Sequence, residues 1–166
     1  MIAIIDYGVG NVFSLSSSLR AVGADIIITS DAEEIRKADK LILPGVGAFG
    51  DAAKKLFDSG LAEVILDETA KGKPLMGICL GMQLLFEKGY EYGEYDGLGL
   101  VKGSVVTMEN KIPAELNVPH IGWNGLHFTK ESPLFKYIED GSFVYFVHRI
   151  GRVDSNGAPN TRPYSP

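Results

Sequence analysis

Four short apolar runs constrain the fold more than any other feature: residues 2–5 (Ile-Ala-Ile-Ile), 25–29 (Asp-Ile-Ile-Ile-Thr), 41–43 (Leu-Ile-Leu) and 75–78 (Leu-Met-Gly-Ile). Several are rich in β-branched side chains, and each is bounded by Gly, Pro, Asp or Ser, the pattern of strands buried on both faces of a parallel sheet. Between them lie segments with helical spacing. Val12, Leu15, Leu19 and Val22 mark the first, and Leu56, Leu61, Val64 and Ile65 recur near a 3.6-residue period across 52–70. Alternating strand and helix predicts a doubly wound α/β layer whose functional residues gather at the carboxyl ends of the strands. Past Gly93 the pattern changes to Gly-punctuated hairpin material, with Gly97, Gly99 and Gly103 among Leu98, Leu100, Val101, Val105 and Val106. The expected fold is therefore an open, mostly parallel sheet flanked by helices, with an antiparallel portion in the second half. Residues 143–147 (Phe-Val-Tyr-Phe-Val) read as a strong strand. Residues 149–166, with three prolines, two glycines and no apolar periodicity, are expected to be loop or disordered tail.

Charge and composition exclude some functions. A net charge of -5 without any basic run opposes a nucleic-acid surface. No apolar run approaches the ~18 residues of a membrane span, and the N-terminus lacks the basic start and cleavage site of a signal peptide. One cysteine cannot build a disulfide framework, which fits a reducing cytoplasm. That cysteine and three scattered histidines lack short ligand spacing, so no metal or cofactor is expected.

The lone cysteine lies in Gly77-Ile78-Cys79-Leu80-Gly81, preceded by the fourth strand and followed by an expected helical run at 82–87. This is the strand–turn–helix setting of a nucleophile elbow, in which flanking glycines leave room for a tight turn. A following helix N-terminus would favour the thiolate, and the Leu80 amide would donate to an oxyanion. A buried, unreactive thiol in a Gly-flanked bend fits the same pattern, and both readings stay open. Leu43-Pro44-Gly45-Val46-Gly47-Ala48-Phe49-Gly50 ends the third strand with three glycines in six residues. It suits a second oxyanion donor, or a tight turn that merely needs positive φ; it lacks the lysine and hydroxyl of a phosphate loop.

Taken together, Asp6-Tyr7-Gly8-Val9-Gly10-Asn11, Pro44-Gly45-Val46-Gly47-Ala48-Phe49, Gly77-Ile78-Cys79-Leu80-Gly81-Met82-Gln83, Pro119-His120-Ile121-Gly122-Trp123-Asn124 and Tyr145-Phe146-Val147-His148 resemble, in order and spacing, the glutaminase subunit of imidazole glycerol phosphate synthase. That subunit is a class I, triad-type glutamine amidotransferase. The resemblance covers residues 1–148, which it implies are an incomplete amidotransferase domain. It implies that Cys79 attacks the side-chain amide carbon of glutamine to form a glutamyl thioester and release ammonia. Gly45, Val46 and Gly47, with the Leu80 amide, would form the oxyanion hole after a peptide of the loop reorients. Gln83 and Glu91 would hold the amino-acid end of the substrate, a carboxylate suiting an ammonium group. His120, Gly122, Trp123 and Asn124 would lie near the site and near a partner, the (β/α)₈ cyclase that receives the ammonia for histidine biosynthesis. From the residues alone, Trp123 reads equally as core, and His120 and His127 as structural histidines.

The chain also departs from that family. A cysteine triad needs a base and a carboxylate to orient it, which the family takes from a His-Pro-Glu turn. Here His120 is followed by Ile-Gly, His127 by Phe-Thr and His148 by Arg-Ile, so no His-x-Glu occurs. The ending reads as a truncation or an altered frame. Three expectations follow: a glutaminase compromised in turnover, a non-catalytic module that keeps the partner surface, or a different cysteine hydrolase using one of the three histidines.

Overall fold

The computed structural model describes residues 1–109 and 118–153. In chain order they form β1 (Ile2–Ile5), α1 (Val12–Ala21), β2 (Ile26–Thr29), α2 (Ala32–Lys37), β3 (Lys40–Leu43), α3 (Phe49–Asp58), α4 (Leu61–Ala70), β4 (Leu75–Gly77), α5 (Leu80–Gln83), β5 (Phe86–Gly89), β6 (Tyr95–Asp96), β7 (Val101–Thr107), β8 (His120–Gly125), a 3₁₀ turn (Pro133–Phe135), β9 (Phe143–His148) and β10 (Ile150–Val153). Two compact units divide the chain: residues 1–106 with 152 onward, and residues 107–151.

The first unit is built on a parallel sheet of order β2-β1-β3-β4. All four expected strands are present. Ile4, Ile5, Leu41 and Leu43 are fully or almost fully buried, as runs covered on both faces require. In α3, Phe49, Ala52, Ala53 and Leu56 recur at i, i+3, i+4 and i+7 and are buried, and Leu61 and Ile65 of α4 and Ile35 of α2 complete that layer. Each buried Leu, Ile or Phe contributes roughly 1.5–3 kcal/mol against exposure. At the ends of α2 and α4, Lys73 donates to the carbonyls of Ile35 (3.0 Å) and Arg36 (2.7 Å) and pairs with Glu68. Glu68, only 4% exposed, also takes Lys71 at 2.6 Å.

Several elements differ from the sequence reading. The helical stretch expected over 52–70 is two helices, because Gly60 adopts φ 73° and starts α4 from the left-handed region. The sequence reading passed over α2, whose N-cap Asp31 accepts from the amides of Glu33 and Glu34. The run expected to be helical over 82–87 stops at Gln83, and Phe86 begins a strand. A second sheet has the order β10-β7-β5-β6, in which β5 pairs antiparallel with β6 but parallel with β7. The Gly-rich stretch is thus only partly hairpin. The expected loop from Arg149 is corrected at its start by the strand Ile150–Val153; residues 154–166 lie outside the described residues. In the second unit, β8 and β9 form an antiparallel two-stranded sheet with His120 opposite His148 and Trp123 opposite Tyr145.

Candidate active site

Cys79 lies two residues past β4, at the carboxyl edge of the parallel sheet. The Ile78 N–H donates to the Leu43 carbonyl at 3.0 Å, extending the β3–β4 pairing up to the turn. The turn itself is strained: Cys79 has φ 54° and ψ -118°, a combination natural to glycine and costly for a residue with a Cβ. Such strain is stored where a side chain must be presented, and Cys79 is exposed, which removes the reading of a buried core thiol. Both flanking glycines are obligatory. A Cβ on Gly77 would lie 2.4 Å from the Met82 Cα, and one on Gly81 would lie 1.9 Å from the Leu43 carbonyl oxygen. As the first residue of α5, Leu80 has an N–H without an intrahelical acceptor, beside the thiol. With four residues α5 has little macrodipole, and the Gly81 and Met82 N–H groups already donate to the Ile78 and Cys79 carbonyls at 3.0 Å each, so the Leu80 amide is what this terminus supplies.

Residues 44–48 run alongside. A Cβ on Gly45 would meet the Gly81 amide nitrogen at 2.6 Å, so this loop packs directly on the elbow. Pro44 and Gly45 are buried, whereas Val46 and Gly47 are exposed and Gly47 has φ 91°. Two residues brace the start of the loop. The Tyr7 hydroxyl donates to the Pro44 carbonyl at 2.8 Å, and Gly10 leaves just enough room for the Pro44 ring. Burial pushes the Tyr7 phenol up to about 12, so it stays a donor. The sequence reading gave Tyr7 no role; its signal was the Asp-Tyr-Gly turn at a strand's carboxyl end. At the far end of the loop, the Phe49 N–H donates to Oε2 of Glu91 at 3.0 Å. Gln83, on α5, carries a buried Oε1 without a hydrogen-bond partner among the described residues.

Cys79, Gly45, Val46, Gly47, Leu80, Gln83 and Glu91 all belong to the first unit, and His120, Trp123 and Asn124 to the second. These last three do not share one surface. Successive strand residues point to opposite sides, so His120 and Asn124 lie on one side of β8 and Trp123 on the other. His120 Nε2 and Asn124 Oδ1 are 2.8 Å apart, and the His120 and His148 rings are 5.2 Å apart. Burial, and secondarily the neighbouring His120, hold His148 below the usual imidazole range. Trp123 is 65% exposed and meets Tyr145 edge-on, which rules out a core role; Ile121, Phe143, Tyr145 and Val147 are exposed beside it. His127 is exposed. Among the described residues no three His, Cys, Asp or Glu side chains are placed to hold a metal ion. No helix among them is long and apolar enough to cross a membrane.

Comparison with known proteins identifies the family and the fold. The family profile "Glutamine amidotransferase class-I" matches residues 3–160. The imidazole glycerol phosphate synthase subunit HisH of Aquifex aeolicus is 51% identical over 146 residues, covering 87% of this chain and 69% of that protein. Its counterpart in Caldanaerobacter subterraneus is 53% identical over 148 residues, covering 89% and 71%. Among solved structures, a glutamine amidotransferase crystal structure superposes with a TM-score of 0.68 at 16% identity, covering 91% of this chain and 72% of the other. The acivicin-bound glutaminase domain of Trypanosoma brucei CTPS gives 0.58 at 16%, covering 91% and 67%; at such identity both speak for the fold alone.

Proposed function

Since the chain belongs to the class I glutamine amidotransferases, and within them to the imidazole glycerol phosphate synthase glutaminase subunits of histidine biosynthesis, we propose that Cys79 is its nucleophile toward glutamine. The observation that carries this is the strained, exposed elbow at Cys79 packed against Gly45. The thiolate sulfur bonds to the side-chain amide carbon, and the carbonyl electron pair moves onto oxygen. The amides of Leu80 and of the loop holding Gly45, Val46 and Gly47 receive that oxyanion. Collapse breaks the C–N bond, the nitrogen leaves as ammonia with a proton from solvent or a general acid, and water then cleaves the thioester to glutamate and regenerates the thiol. Gln83 and Glu91 hold the amino-acid end; the unpartnered Gln83 Oε1 supports this as an acceptor for the substrate.

Residues 1–148 carry this amidotransferase part. The relatives are subunits of a synthase, and the partner for this chain is its cyclase, a (β/α)₈ protein, docked on the side of β8–β9 that exposes Trp123. On this reading Trp123→Ala weakens the complex by more than about 1 kcal/mol, and unchanged affinity in a titration removes the role. A cytoplasmic setting suits the single free thiol. The 166 residues hold no His-x-Glu, so on these residues alone turnover should be slow, ammonia departure and thioester hydrolysis each lacking a factor of roughly 10² to 10⁴. The exposed Trp123 surface also supports a second reading, partner binding without catalysis.

The test is incubation with a glutamine-derived electrophile, followed by ammonia assay with the cyclase. Stoichiometric modification of Cys79 with little turnover is expected. Absence of modification leaves the binding-only reading, and turnover like that of the relatives overturns the slow-turnover part.

A further inference from the structure

Glu91 is 6% exposed, yet among the described residues no cation pairs with it. Among those residues its hydrogen bond is from the Phe49 N–H, at 3.0 Å to Oε2. Only Oε2 is engaged by a donor among the described residues, which leaves Oε1 able to accept another. The position of the acceptor matters as much. Phe49 is the first residue after the loop 44–48, and Ala48 before it is extended, with φ -88° and ψ 145°. The hairpin bearing Glu91 grips this point in two further places. A Cβ on Gly89 would sit 2.4 Å from the Phe49 ring, and one on Gly50 would sit 2.4 Å from the Tyr95 ring. Phe49 thus lies on Gly89 and Tyr95 on Gly50, fixing the first turn of α3 to the β5–β6 hairpin.

The loop is therefore held at both ends, by Tyr7 on Pro44 and by Glu91 on Phe49, 42 residues away in sequence. Between the anchors stand Gly45, Val46, Gly47 and Ala48. A Cβ at Gly47 would meet nothing within 4 Å, so this stretch has room to rearrange.

We infer that Glu91 is a positioning residue that couples substrate recognition to the oxyanion loop: Oε2 holds the Phe49 amide while Oε1 takes the substrate ammonium, so an occupied amine site fixes the loop's downstream end. This rests on the reading of Cys79 and Glu91 given above and adds the link to Phe49. One carboxylate gripping two donors is drawn toward both, and a displacement at Phe49 is transmitted through Ala48 to Gly47.

Two variants separate the roles. Glu91→Gln keeps the reach and an acceptor for Phe49 but loses the charge. Glu91→Asp keeps the charge but is one methylene too short to span both donors. The probes are glutamine itself and the γ-p-nitrophenyl ester of glutamate, which acylates Cys79 without an acid to expel its leaving group. Readouts are amide exchange at Phe49 and the burst of p-nitrophenol, resolved into a substrate constant and a saturated rate. In the unaltered chain, glutamine should slow exchange at Phe49. Glu91→Gln should raise the substrate constant roughly tenfold while largely sparing the saturated rate. Glu91→Asp should speed Phe49 exchange, abolish its response to glutamine and lower the saturated rate by roughly 10²-fold, as a displaced oxyanion donor does. Unchanged exchange in α4 confirms that each variant is folded. If both variants alter only the substrate constant, Glu91 is a substrate contact alone and the coupling is overturned. If Phe49 exchange changes but never responds to glutamine, Glu91 is a structural brace and the coupling is again overturned. A chain that neither binds glutamine nor forms a burst overturns the underlying reading as well, whatever Phe49 does.

Discussion

Replacing Cys79 by glycine should stabilise the protein relative to replacing it by alanine. At φ 54° and ψ -118° the residue occupies a region that glycine enters freely and any Cβ enters at a cost of about 1–3 kcal/mol. Alanine keeps the Cβ and therefore the strain, whereas glycine removes both. Glycine loses more chain entropy on folding, about 0.5–1 kcal/mol. Because Cys79 is exposed, deleting its sulfur sacrifices little packing, and the Gly–Ala comparison cancels that loss in any case. The balance favours Cys79→Gly over Cys79→Ala by about 1 kcal/mol, a rise of ~2–4 °C in melting temperature for a chain this size. Parallel urea and thermal melts decide the matter. If Cys79→Gly melts below Cys79→Ala by the ordinary glycine penalty, the strain is absent and the argument from elbow to nucleophile fails.

Gly81→Ala places a Cβ 1.9 Å from the Leu43 carbonyl oxygen, backbone against backbone, and should cost at least ~3 kcal/mol, whereas Gly47→Ala, with open space around it, should cost only ~1–2 through its positive φ; equal melting temperatures would contradict the packing of loop on elbow. Tyr7→Phe leaves the buried Pro44 carbonyl without its donor and should cost about 1–3 kcal/mol in a urea melt, with slower modification of Cys79. Glu68 is held down to about 2 by Lys71 first and then Lys73, so its stabilisation is complete above its unfolded value near 4.5 and is lost as pH falls from there through 2. Glu68→Gln should flatten the stability curve in that window, and an unaltered acid limb would show the pairing to be immaterial.

What the sequence revealed and what it concealed divide along a physical line. The four strands were readable because a strand buried on both faces must be apolar throughout. The elbow was readable because only glycine fits at 77 and 81. Asp31 and Glu34, three residues apart, were a legible start signal for α2 that the reading passed over. The end of α5 was not legible: Leu84, Leu85 and Phe86 suit a helix locally, and it is the pairing of β5 with β6 and β7 that prevails. The Tyr7–Pro44 and Phe49–Glu91 hydrogen bonds join residues 37 and 42 positions apart, beyond any local pattern. Opposite faces for Trp123 and Asn124 follow from strand alternation once β8 is known.

The β8–β9 ribbon has a consequence for how the protein behaves in a tube. Among the described residues it is a sheet of two strands, with Ile121, Trp123, Phe143, Tyr145 and Val147 exposed on one side. Among the described residues no third strand pairs with β8 or β9, and flat apolar strands with unpaired edges template further strands. Concentrating the chain alone should therefore drive self-association through this ribbon before the parallel sheet, with its buried strands, is disturbed, and light scattering should rise with concentration while Cys79 stays reactive.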